Sequence, residues 1–131
     1  GMKRIGSVMV ALALLLCLAA CGSDVVGEQS GGGEALTTGQ SNALKAAKRY
    51  LDALPFSYEG LVKQLEFEKY THEDAVFAVD HCGADWNEQA AKKAESYLRS
   101  GSFSRDGLID QLEFDGFTHE QAVYGVEQNG Y

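Results

Sequence analysis

The sequence predicts an all-α fold of two tandem three-helix repeats of helix-turn-helix type, and three observations support this prediction. Apolar residues recur at intervals of three and four rather than two, which is typical of helices. The segment from Gln40 to Ala84 matches the segment from Asn87 to Tyr131 without a gap. At this offset of 47 residues, 20 of the 45 pairs are identical, which indicates a tandem duplication. Serine, threonine or aspartate residues precede the apolar stripes at positions suited to helix N-caps.

The first repeat is predicted to span residues 38–84 and the second residues 85–131. Ser57 and Thr71 precede the second and third stripes of the first repeat as N-caps, and the second repeat has the same residue types at the same positions. The stripes of the first repeat are Ala43, Ala47, Tyr50, Leu51 and Leu54, then Leu61, Val62 and Leu65, then Ala75, Val76 and Val79. Asp85 caps the next helix directly, so little linker remains. Trp86 is therefore predicted to lie at the joint between the repeats.

Residues 1–20 are predicted to be a lipoprotein signal peptide. Lys3 and Arg4 precede an uncharged apolar run that is about thirteen residues long, shorter than the roughly twenty that span a bilayer. The run ends in Leu-Ala-Ala-Cys at Cys21, which resembles the bacterial lipobox. This resemblance implies that Cys21 becomes the acylated first residue of the mature protein, on the extracytoplasmic face of the cell membrane. The alternative is a soluble secreted protein cut after Ala20, with an incidental cysteine.

Residues 21–37 are rich in glycine, serine, glutamate and glutamine and are predicted to be a flexible, lipidated tether. The whole sequence has a net charge of −8, and removal of residues 1–20 takes away two bases and no acid, which gives −10. An acidic surface repels phosphate groups, so nucleic acid and anionic lipid head groups are not expected partners. Cys82 is the one cysteine beyond Cys21, so no intramolecular disulfide is expected.

The sequence offers no catalytic or metal site, and an enzymatic function is not expected. The pairs His72-Glu73 and His119-Glu120 are adjacent residues, whereas metal ligands on a helix stand three or four positions apart. Their predicted role is at the start of the third helices. Cys82 has only His81 beside it as a base, so a half-buried cysteine at a helix end is favoured over a reactive thiol. No cofactor is expected apart from the covalent diacylglycerol on Cys21.

What remains is a surface for binding a protein. Acidic residues are concentrated at the ends of the second helices and the starts of the third. Two aromatic residues, Phe77 and Tyr124, lie one position away from the third apolar stripe. A surface of aromatic and acidic residues is typical of protein interfaces. The alternative is that all the aromatic residues belong to the core. The predicted partner-binding residues are Glu66, Glu68, Glu73, Asp74, Phe77, Glu113, Asp115, Glu120 and Tyr124.

The repeated pattern resembles the host cell surface-exposed lipoprotein (Ltp) family. It runs Ala-x-x-Tyr-Leu, then Phe-Ser-x-(Glu/Asp)-Gly-Leu, then Gln-Leu-Glu-Phe-x-x-(Tyr/Phe)-Thr-x-Glu-x-Ala-Val, over residues 40–131. The resemblance implies superinfection exclusion: a prophage-type lipoprotein, anchored outside the membrane, hinders DNA injection by engaging an injected phage tail protein. The alternative function is a structural or adhesive lipoprotein of the cell envelope with no role against phages.

Overall fold

A computed structural model describes residues 35–131, and the predicted signal peptide, Cys21 and most of the tether lie outside the described residues. Residues 37–131 form one compact unit with six helices and no strand. The helices are α1 Thr38–Ala53, α2 Tyr58–Phe67, α3 His72–His81, α4 Trp86–Ser100, α5 Arg105–Phe114 and α6 His119–Gln128. In residues 35–131, no helix is both long and apolar enough to cross a membrane. The predicted all-α fold of two three-helix repeats is confirmed.

The helices begin where the sequence predicts. In α2 and α5 the serine side chain before the helix accepts the third backbone N–H, and in α3 and α6 a threonine does the same. At the start of α6, Thr118 and Gln121 form a complete capping box, whereas at the start of α3 only the bond from the Asp74 N–H to the Thr71 hydroxyl is present. Asp85 caps α4 through the N–H groups of Asn87 and Glu88. These side chains supply acceptors that the first turn of a helix otherwise lacks.

The core of each repeat depends on close approach of its first and third helices, which make the largest helix contact in the repeat. Alanines dominate this contact: Ala43 and Ala47 of α1 and Ala75 and Ala78 of α3 are fully buried. In the second repeat the position of Ala78 is taken by Gly125, where an added Cβ would lie 2.7 Å from the Ala90 backbone. The helices α4 and α6 therefore pack closer together than an alanine at this position would allow.

The first junction between the repeats is made by α4. Trp86, its first residue, packs against the core of the first repeat and meets Tyr58 edge to face, with ring centroids 5.6 Å apart. Its predicted place at the joint is confirmed. Three residues further on, the buried side chain of Gln89 accepts a hydrogen bond from the Phe56 backbone N–H at 3.1 Å. A helix of the second repeat thus completes the packing of the first.

The second junction joins the start of α2 to the end of α5. The Ser57 hydroxyl accepts the Gly60 N–H at 2.9 Å and donates to the backbone oxygen of Asp115 at 2.6 Å. Ser57 is 3 % exposed, whereas its equivalent Ser104 is exposed and caps α5 only. Gly116, which follows Asp115, has a φ of 108°, and a Cβ there would lie 2.6 Å from the Ser57 hydroxyl oxygen. Glycine is required at this position by both backbone conformation and space.

Gly116→Ala tests this junction. We expect a loss of about 2 kcal/mol or more in the free energy of unfolding, because the positive φ costs about 1 to 2 kcal/mol and displacement of the Ser57 hydroxyl weakens an N-cap worth about 1 kcal/mol. The matched control is Lys69→Ala at the equivalent position of the first repeat, where a side chain already occupies a φ of 78°. Its effect should stay within about 0.5 kcal/mol. Equal losses in urea denaturation of the two variants would contradict the proposed role of Gly116.

Candidate functional site

The predicted acidic residues gather at one corner of each repeat. We call the end of the second helix, the turn after it and the first turn of the third helix the acidic corner, residues 66–74 in the first repeat and 113–121 in the second. A short turn brings the C-terminal end of one helix, which is negatively polarised, beside these carboxylates. Glu68, Glu73 and Glu120 are exposed there. Each acidic corner therefore presents concentrated negative charge to the solvent.

Each acidic corner also contains a histidine–glutamate contact that the sequence analysis did not predict. The Nδ1 atom of His72 bonds to the Glu66 carboxylate, and that of His119 bonds to the Glu113 carboxylate at 2.5 Å. The hydrogen bond to Glu66 and the charge of that carboxylate raise the pKa of His72 above its ordinary value of 6.5. Thus the histidines tie the start of the third helix to the end of the second, while the threonines provide the caps.

Besides Glu66 and Glu113, which bond to the histidines, two further predicted partner-binding residues are engaged within the fold. Asp115 is half-buried, and its carboxylate accepts a hydrogen bond from the Tyr97 hydroxyl at 2.6 Å. Burial of the phenol and this hydrogen bond raise the pKa of Tyr97 to about 12. Asp74 is half-buried beside Gly39 of α1, where a Cβ would lie 2.1 Å from its carboxylate oxygen. These two carboxylates are less available to a partner than the exposed Glu68, Glu73 and Glu120.

The two predicted aromatic anchors differ in exposure. Phe77 is half-buried and stacks on His81, with ring centroids 4.1 Å apart. Tyr124, its equivalent, is 41 % exposed. Phe67 and Phe114 precede helix ends and were not among the predicted anchors, yet they are 78 % and 85 % exposed at the ends of α2 and α5. The signal was present, because both are the same residue at equivalent positions, outside the apolar stripe. The alternative that every aromatic residue lies in the core is wrong.

Shallow hollows lie beside the histidines of both repeats. One of about 300 Å³ lies between α2 and α3, and one of about 370 Å³ lies along α6. The first is lined by Tyr58, Glu59, Val62, Lys63, Glu66, His72 and Val76, and the second by His119, Glu120, Val123, Tyr124 and Glu127. A third hollow, of about 440 Å³, adjoins the start of α4 and is lined by charges of both signs. Within residues 35–131, no three metal-ligating side chains are grouped as an ion would require.

The charges of the described residues are segregated between helices. Of the nine lysine and arginine residues in this part of the chain, six belong to the first helices of the repeats, α1 and α4. The second and third helices and their turns carry most of the acids. The six bases are Lys45, Lys48, Arg49, Lys92, Lys93 and Arg99. A positively charged partner is therefore drawn towards the acidic corners rather than towards the first helices.

Comparison with known proteins agrees with this architecture. The family model described as host cell surface-exposed lipoprotein matches residues 38–82 and 85–128, once per repeat. The chain belongs to the host cell surface-exposed lipoprotein (Ltp) family. The similarity predicted from the repeated pattern is confirmed.

A solved structure also matches most of the chain. It is Ltp, a superinfection exclusion protein from the Streptococcus thermophilus temperate phage TP-J34, and it is 38 % identical to this member of the Ltp family. The match covers 71 % of this chain and 97 % of that chain, with a TM-score of 0.67. No curated protein sequence matches the chain significantly.

The His72–Glu66 contact predicts a pH-dependent stability. Because the folded-state pKa of His72 is raised above its ordinary value of 6.5, the contact stabilises the fold fully below that value. The stabilisation is lost as the pH rises through the folded-state pKa. We expect His72→Gln to be less stable than the wild type at pH 5, with the difference shrinking towards pH 8 in urea denaturation. In a Glu66→Gln background the same substitution should lose most of this pH dependence. A difference that stays constant between pH 5 and pH 8 would contradict the assignment.

Proposed function

We propose that this protein excludes superinfecting phages by binding a protein of the incoming phage at the cell surface and so hindering DNA injection. In this proposal, diacylglycerol on Cys21 anchors the chain to the extracytoplasmic face of the cell membrane, and residues 22–37 tether the repeats to it. The partner would be an injected tail protein, and the role is one of binding rather than catalysis. Membership of the Ltp family, described as surface-exposed lipoproteins, supports the location.

The observation that carries the proposal is the likeness to a superinfection exclusion protein. That likeness extends over 97 % of the solved chain at 38 % identity, so it includes both repeats rather than one shared helix pair. The acidic corners of this chain supply a chemical reason for partner binding that the fold by itself does not.

In this proposal, the anchor and tether keep the repeats close to the membrane. Sixteen residues of a flexible chain have a root-mean-square span on the order of 20 to 25 Å. An anchored acidic module would therefore stay within tens of ångströms of the membrane, where a tail protein emerges during injection. Anchoring raises the local concentration, so a weak interface suffices. Complementary charge would increase the rate of encounter with a basic segment of that partner.

Phage challenge of cells tests the function. We expect cells that express the full chain to adsorb phages normally but to take up less phage DNA, and efficiency of plating should fall for susceptible phages. A chain that lacks residues 2–20, and Cys21→Ala, should give no protection, because neither is held at the membrane surface. Surface display is verified by antibody labelling of intact cells.

Two outcomes would contradict the proposal. Unchanged plating over a broad phage panel, despite verified display, would favour the structural or adhesive envelope protein. Equal protection by the chain that lacks residues 2–20 would reject the surface mechanism.

Charge reversal tests the acidic corners. We expect Glu73→Lys with Glu120→Lys to reduce protection against a phage that the wild type excludes, because these exposed carboxylates would attract the partner. The matched control is Asp52→Lys with Glu95→Lys, which changes the net charge equally on the exposed surfaces of α1 and α4. The control should protect as the wild type does. Equal loss in both variants would point to net charge alone rather than to the acidic corners.

A further inference from the structure

Two phenylalanines at equivalent positions are exposed without serving the core. Phe67 and Phe114 are the last residues of α2 and α5, and they are 78 % and 85 % exposed. The inward stripes of these helices are complete without them, since Leu61, Val62 and Leu65 fill the core in the first repeat. Exposed phenylalanine retains unfavourable contact with water. The same residue at both positions indicates a role at the surface.

The charges around the two phenylalanines differ. Four residues before Phe114, on the same side of α5, stands Asp110, and Glu113 is adjacent. In the first repeat the position of Asp110 is taken by Lys63, which is exposed on α2. The local sequence around Phe114 is therefore acidic without a balancing base, whereas the surroundings of Phe67 are mixed.

The turns after these helices repeat the difference. Lys69 follows α2 closely and is exposed, whereas Gly116 stands at the equivalent position after α5. The negatively polarised helix end adds negative potential at both phenylalanines alike, so the difference comes from the side-chain charges. Basic residues thus border Phe67 on both sides along the chain, and none borders Phe114 between residues 106 and 118.

We infer that Phe67 and Phe114 are the apolar anchors of two docking sites for one basic, amphipathic segment of the partner protein, and that the Phe114 site selects for positive charge. This inference rests on the proposed function and names the chemistry of its partner. An aromatic ring with carboxylates around it matches a segment that has apolar residues on one side and lysine or arginine on the other. A second copy of this acidic chain fits less well, because like charges would meet.

The two anchors lie within reach of one segment. Ser57 at the start of α2 bonds to Asp115, which directly follows Phe114. The ten residues of α2 extend about 15 Å from there to Phe67, so the backbones of the two phenylalanines are roughly 5 to 25 Å apart. A helix of about 17 residues spans the longest of these distances. Binding at one site therefore raises the effective concentration at the other.

Peptide binding tests the inference with defined probes. The first probe is a helical peptide of about 18 residues with leucine on one side and lysine on the other, and the second has serine in place of leucine at the same charge. We expect Phe114→Ala to weaken binding of the leucine peptide by about 5- to 30-fold and to leave the serine peptide unaffected. Phe67→Ala should also weaken binding of the leucine peptide. The matched control is Leu54→Ala, which removes an apolar side chain that is 58 % exposed outside both sites.

Exchange of the charges at the matched positions tests selectivity. Lys63→Asp should tighten binding of the leucine peptide by about 2- to 5-fold at low salt, and Asp110→Lys should weaken its binding by a similar factor. Both effects should vanish near 1 M salt, where the Debye length is about 3 Å. All the substituted side chains are exposed and lie outside the core, so the variants should remain folded. Thermal melting checks this.

Several results would overturn the inference. These are equal effects of Phe114→Ala and Leu54→Ala, equal binding of the leucine and serine peptides, or no binding of either peptide. Self-association of the wild type that disappears in the Phe67→Ala/Phe114→Ala protein would assign the sites to a second copy instead.

Phage challenge separates the inference from the proposed function. If the wild type protects cells, Phe67→Ala/Phe114→Ala should protect less at equal surface display, and unreduced protection would reject the anchors while leaving exclusion intact. If the wild type does not protect, the proposed function fails, and the peptide measurements alone decide whether the phenylalanines form docking sites.

Discussion

The junction between the repeats is the contact on which the rest of the structure depends. A three-helix unit of about 45 residues buries only a limited apolar area, because small domains have a high ratio of surface to volume. Here Trp86 adds its ring to the core of the first repeat, and the Gln89 side chain accepts a hydrogen bond from the backbone N–H of Phe56. The Ser57 hydroxyl caps one helix while it bonds to the end of another. Each repeat therefore completes the other, and the duplication yields one compact unit.

The junction also explains why the two repeats are not interchangeable. Gly116 lies against Ser57, whereas Lys69 at the equivalent position is exposed and keeps a side chain at positive φ. Tyr97 bonds to the carboxylate of Asp115, whose equivalent in the first repeat is the exposed Glu68. In both repeats a tyrosine hydroxyl accepts a hydrogen bond from a glutamine side chain. Gln64 donates to Tyr50 at 3.2 Å in the first repeat, and Gln111 donates to Tyr97 in the second. The shared bond belongs to the repeat, and the additional ones stabilise the end of α5 at the junction.

Much of the fold was predictable because its causes are local. N-caps at Thr71 and Thr118 depend on residues three positions apart, and the helical stripes depend on spacing within one turn. The candidate site was predictable only in part. The histidine–glutamate contacts depend on how a turn folds back, and the exposure of Phe67 depends on which side of α2 meets the core. Tertiary packing determines both, so the sequence predicted the acidic residues of the corner but not how Asp74 and Asp115 are engaged within the fold.

Identity between the repeats gives a physical argument about where function lies. Most of the identical pairs have a structural explanation, since they are buried apolar residues, helix caps or the tyrosine–glutamine bond. The histidine–glutamate contact accounts for two more pairs, Glu66 with Glu113 and His72 with His119. Apart from the pair at Lys45, the identical pairs with exposed side chains and no such explanation belong to the acidic corners. They are Phe67 with Phe114 and Glu73 with Glu120. An exposed phenylalanine beside a histidine–glutamate contact contributes little to the core. Its presence in both repeats agrees with the inferred pair of docking sites.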